Sequence, residues 1–125
     1  MGLSAEALAA CLLELRGEYV LGLGPRLQEL REALSRCGTD PEARVAIQRG
    51  GHRLAGTART VGLDPIGTVG RALEGFCART DWGAPALGTL SGALELLEEL
   101  SARAASGGPL PEPHGDPRLQ SLLVA

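Results

Sequence analysis

Lysine is missing altogether: all twelve cations of this 125-residue chain are arginine, set against fifteen acids, for a formal net charge of −3. Without a basic excess, a general nucleic-acid binder is excluded, because such proteins need cations to neutralise phosphates. Aromatic residues are nearly as scarce, with Tyr19, Phe76 and Trp82 making up 2% of the chain. At 44% apolar residues, the core must be assembled from Leu, Ala, Val and Ile. That mixture favours helices over a β-sandwich or barrel. Cysteine is limited to Cys11, Cys37 and Cys77, widely spaced and without a CxxC pair. No zinc or dithiol motif is signalled, so no metal ligands are assigned, and buried free thiols in a reducing compartment are expected. No apolar run approaches the ~18 residues that a membrane span requires. The stretch from Met1 to Leu15 lacks a basic start and is interrupted by Glu6 and Glu14, so it does not read as a signal peptide. A cytoplasmic protein without membrane contact is expected.

The length suits one domain with a core that needs no disulfide or metal. Five helical segments can be read. The first runs from Ser4, a plausible N-cap, to Leu21, with Leu8, Leu12, Leu15 and Tyr19 on one stripe. Gly22, Gly24 and Pro25 then punctuate the chain. The second spans Pro25 to Cys37, with Leu23, Leu27, Leu30, Leu34 and Cys37 aligned. The third opens on Asp40-Pro41 and runs to Val61, stopped by Gly62. The fourth opens on Asp64-Pro65 with the stripe Ile66, Val69, Leu73, Phe76. The fifth starts near Pro85 and carries Leu87, Leu90, Leu94 and Leu97 before Gly107-Gly108. Short connections make neighbouring helices antiparallel, giving an all-α, up-down four-helix bundle with an additional N-terminal helix over residues 1–106. Residues 107–125 begin GGPLPEPHGDP, a linker or tail in which His114 is a solvated side chain. The last residues, RLQSLLVA, either dock on the bundle or begin a strand of a further domain.

The third segment carries the chemistry. It reads VAIQRGGHRLAGTARTVG, with Gly50, Gly51 and Gly56 inside a helix, where each costs about 0.8–1 kcal/mol relative to Ala. Close packing or close approach by a partner is the usual compensation. At about 100° per residue, Ala43, Ile47, Leu54 and Val61 fall opposite His52, which should therefore face solvent. Gln48 and Arg49 lie one turn before it, Ala55 and Gly56 one turn after, and Arg59 two turns after. Neutral imidazole is a nucleophile near neutral pH. Arg49 and Arg59 could complement an anion on the ring, with Gln48 in support. Arg53, Ala55 and Gly56 would form a smooth face for docking. The competing reading is an ordinary surface histidine among solvated charges. An enzyme with its own turnover finds no support in acid pairs, Cys–His arrangements or phosphate-cradling loops. Gly22-Leu23-Gly24 follows no strand and does not make such a loop.

The run His52-Arg53-Leu54-Ala55-Gly56-Thr57-Ala58, followed by Gly62-Leu63 and Leu73-Glu74, resembles the signature of histidine-containing phosphotransfer (HPt) domains. The stretch from Glu18-Tyr19 through PRLQELREAL is similar to the family's start, and the resemblance covers about residues 8 to 104. It implies an antiparallel four-helix bundle and an exposed phosphoacceptor, His52, modified on Nε2. The implied partners are a response-regulator receiver domain and a histidine kinase. The receiver would supply Mg²⁺, and the chain itself would need no cofactor and work as a monomer. One position departs from the pattern: the family's lysine, three residues after the histidine, is Ala55 here. Either Arg49 or Arg59 takes its place, or the partner supplies the charge, or the domain is a degenerate adaptor that binds a receiver or kinase without being phosphorylated.

Overall fold

The computed structural model describes residues 4–124, and among them every regular element is helical. The helices are α1 (Ala5–Arg36), α2 (Pro41–Thr60), α3 (Asp64–Arg79), α4 (Ala84–Ala105) and α5 (Pro117–Val124), with a 3-10 turn at Pro113–Gly115. α1 packs on α2 and α4, α2 on α3, and α3 on α4, which closes the expected all-α four-helix bundle. The connections at 37–40, 61–63 and 80–83 are too short for anything but antiparallel neighbours. None of the described helices is long and apolar enough to cross a membrane.

Local signals set the helix ends. Ser4 caps α1 through the Ala7 amide, and Asp40 caps α2 through the Glu42 amide, with Pro41 at the first helical position. Asp64 sits inside α3 rather than capping it; Leu63 holds the cap position. α2 stops in a Schellman turn. Gly62 adopts φ +80, its amide bonds the Arg59 carbonyl, and the Leu63 amide reaches Ala58. Gly107, at φ +79, ends α4 the same way. The stripe of α3 is buried as read, from Ile66 through Phe76; that of α4 is buried from Leu90 through Leu100, with Leu87 half-buried at its start.

The first two predicted segments are one helix. Pro25 lies inside α1, so the additional N-terminal segment is the first half of a 32-residue rod. Proline removes the bond that would reach the Leu21 carbonyl, but Leu21 is 82% exposed, so water can satisfy that carbonyl. The expected core stripe also starts late. Leu8, Leu12 and Leu15 are 50%, 40% and 47% exposed, and α1 is buried only from Tyr19 to Ala33. A 32-residue helix is ~48 Å long, whereas its partners of 16 to 22 residues reach only ~24–33 Å, so its first half overhangs. Cys37 and Cys77 are buried thiols, as expected, but Cys11 lies on the overhang and is exposed.

The C-terminal segment is a helix, not a strand. α5 docks on α3 and α4, burying Leu119 and Leu122 completely. Arg118 grips Glu99 of α4 through two bonds of 2.8 and 2.7 Å and also holds Asp116. His114 is exposed, as expected, and pairs with Glu112.

Glycines of opposite kinds give opposite expectations. Gly24 is helical with open space around it, so Gly24→Ala should stabilise by about 0.5–1 kcal/mol. A Cβ on Gly70 would stand 2.8 Å from the Leu54 Cβ and 2.9 Å from the Gly51 carbonyl. Gly70→Ala should therefore destabilise by about 1–3 kcal/mol in the same denaturant titration. For α5, the Arg118 bonds hold the Glu99 and Asp116 carboxyls below their usual range. Lowered native values mean a stabilisation that is present above the ordinary carboxylate range and lost as pH falls through those values. Amide exchange in α5 should accelerate over that acid window before the bundle core opens, and an Arg118→Ala variant should lose the pH dependence.

Candidate functional site

His52 stands on the outside of α2, its side chain 78% exposed, while Ile47, Leu54, Ala58 and Val61 on the opposite face are buried. Its orientation comes from α3. Nδ1 lies 2.6 Å from Oε2 of Glu74, a carboxylate whose side chain is 34% exposed. The sequence pattern had included Glu74 only as part of a signature, with no role. No helical periodicity links positions on two different helices, so the pairing was invisible before the fold placed α3 beside α2.

Glycine makes that pairing possible. A Cβ on Gly51 would meet the Gly70 carbonyl at 2.8 Å and the Glu74 amide at 3.0 Å. A Cβ on Gly70 would meet the Ala55 amide at 3.0 Å. The two helices are thus in backbone contact directly beneath the histidine, and the Glu74 carboxylate needs only its own length to reach the ring. Gly51 is explained by packing, whereas Gly56 is exposed with nothing within 4 Å. The bundle makes no demand for glycine at position 56.

Around the ring lies a shallow hollow lined by Val45, Gln48, Arg49, Arg53 and Glu74. Glu74 stands on the α3 side; Arg49 and Arg53 extend round α2 toward α1 and also line the groove between those two helices. The structure therefore brings together His52, Gln48, Arg49 and Arg53 from the predicted set. It does not bring Arg59. That residue is two turns, ~10 Å, further along α2 and lines a separate hollow with Thr68, Arg71 and Arg79.

Ala55 is not part of an exposed docking face. It is buried against α3, because the glycines at 51, 67 and 70 draw α3 over the flank of α2 that a helical wheel leaves open. Arg53 and Gly56, by contrast, are exposed beside the ring. Among the described residues, no three His, Cys, Asp or Glu side chains gather as a metal-ligand group.

The all-helical fold agrees with the comparison against known families. The model of the Hpt domain matches residues 14–110. No curated protein and no solved structure matches the chain. With most of its length covered by that match, this chain belongs to the Hpt family, the histidine phosphotransfer domains of phosphorelays.

Proposed function

We propose that His52 is the phosphoacceptor of this domain, taking a phosphoryl group from the aspartate of a response-regulator receiver domain or from a histidine kinase and passing it on. The observation that carries the reading is the 2.6 Å contact between Nδ1 and Glu74. A carboxylate at that distance accepts a hydrogen bond from Nδ1–H and fixes the tautomer, which leaves the lone pair on Nε2, away from Glu74. Nε2 is then the nucleophile. It attacks phosphorus, the bond from phosphorus to the aspartyl oxygen breaks, and the aspartate departs as a carboxylate. The proton stays on Nδ1, so the phosphorylated ring is an imidazolium whose charge Glu74 opposes. Return to a receiver aspartate reverses these bonds.

Arg49 and Arg53, with Gln48, line the hollow that a phosphoryl group on Nε2 would occupy, and they stand in for the family lysine that Ala55 replaces. Arg59 and the exposed Gly56 would meet the docked partner rather than the phosphoryl group. Transfer between two aligned groups is mainly positioning and electrostatics, and the Mg²⁺ belongs to the receiver's side of the complex. The chain is a carrier without turnover of its own. An adaptor that only binds receivers or kinases would have no use for a carboxylate aligned on the imidazole, so the geometry favours the carrier.

Two measurements test this. His52→Gln should abolish acid-labile incorporation of phosphate from charged receiver domains, read by intact mass. Its thermal midpoint should not change, since the ring is exposed and outside the core. Retained labelling would exclude His52, and absence of any labelling of the unmodified chain would favour the adaptor. Glu74→Ala should slow labelling by about 10- to 100-fold, the scale known for carboxylates that orient metal-binding imidazoles. In ¹⁵N spectra of the neutral ring, the same variant should lose its preference for the proton on Nδ1. An unchanged tautomer ratio would remove Glu74 from the mechanism.

A further inference from the structure

A second, more enclosed groove of about 210 Å³ runs between α1 and α2, continuous with the His52 hollow through Arg49 and Arg53. Arg26 of α1 completes its cationic wall. Leu30 and Leu54, both core residues, form an apolar floor, and Glu29 is the one acid on the lining. None of the three arginines pairs with a carboxylate among the described residues. Arg26 is instead held over the Tyr19 ring, 5.8 Å from its centre. Gly50, also on the lining, makes room for the Leu30 side chain of the floor, which a Cβ there would meet.

Charge is also segregated across the whole molecule. Residues 41–79 hold six of the twelve arginines and three of the fifteen acids, a net +3, which leaves −6 for the remainder. The positive part is the α2–α3 hairpin that carries His52.

We infer that this arginine groove seats an acidic, apolar-tipped segment of the receiver domain that exchanges the phosphoryl group with His52, and that it selects which receivers dock. The inference rests on the reading of His52 given above. Three arginines with no carboxylate partner among the described residues complement an acidic segment, and the leucine floor takes an apolar side chain beside it. The shared Arg49 and Arg53 place the seat at the edge of the phosphoryl hollow. A bilayer is a poorer occupant, because the groove is concave and the −6 remainder would be repelled by anionic lipid.

The test uses the full chain and two phosphodonors. Phosphoramidate labels an exposed imidazole without docking: its P–N bond breaks, ammonia leaves, and the N–P bond forms on His52. Receiver domains from the same cell, charged with acetyl phosphate, transfer only after docking. Arg26 lies outside the His52 hollow, so Arg26→Glu should leave phosphoramidate labelling unchanged. The same variant should slow transfer from receivers about tenfold at low ionic strength and flatten its salt dependence. Ala46→Phe, at an exposed position on the groove's lining, should slow transfer while keeping the salt dependence. Wild-type rates and salt slopes in both variants would overturn the role of the groove and leave His52 as phosphoacceptor intact. Failure of both donors to label His52 would overturn the two readings together. Binding to phosphatidylserine vesicles that Arg26→Glu abolishes, with transfer unaffected, would assign the groove to a membrane and overturn it as a receiver seat.

Discussion

The backbone contact between α2 and α3 is the constraint on which the rest of the site depends. Gly51 and Gly70 face each other so closely that a methyl group on either would lie within 3 Å of the other helix. Glycine is a poor helix former, and at these two positions its cost is offset. Here the return is geometric. Glu74 follows Gly70 by one turn, its backbone lies against Gly51, and the next residue of α2 is His52. A wider crossing would move the carboxylate out of reach of Nδ1. Both partners sit on packed helices rather than loops, which holds the ring and its acceptor in register without a network of further bonds.

That arrangement gives the imidazole two unlike sides. On the α3 side stands a carboxylate; on the α1 side stand two arginines with no carboxylate partner among the described residues. The segregation of charge extends this local asymmetry to the whole domain, with a positive hairpin on a negative body. Fields of this kind orient an approaching partner over a distance of about one Debye length, roughly 8–10 Å at ordinary ionic strength. A domain that must meet its partners briefly and release them is better served by such steering than by a large apolar interface.

Much of this was legible in the sequence, and the parts that were not share a cause. The helix count in the bundle, its caps at Asp40 and Gly62, the buried stripes and the outward-facing His52 all follow from periodicity within one segment. The continuous α1 does not, because Pro25 after Gly22 and Gly24 has the form of a helix start; in the fold it sits on the solvent side of a running helix, where its missing bond costs little. The exposed Leu8, Leu12 and Leu15 form a sound apolar stripe, but a stripe does not reveal whether another helix is long enough to cover it. Glu74, the buried Ala55 and the docked α5 are all consequences of helix-to-helix contact. Spacing along one chain segment carries no information about such contacts.

Ala55 shows how the site could dispense with the family's lysine. With α3 drawn in by three glycines, Ala55 is buried with its backbone against Gly67 and Gly70, which leaves little room for a longer side chain at that position. The flank it would have served is already occupied by Glu74, an anion that would oppose a phosphoryl group. The opposite flank is open and carries Arg49 and Arg53, whose planar guanidinium groups can each offer paired donors to phosphate oxygens where an ammonium offers a point charge. Moving the cations across the ring therefore separates two tasks. On the proposed reading, one side holds the proton on Nδ1 and the other receives the anion at Nε2.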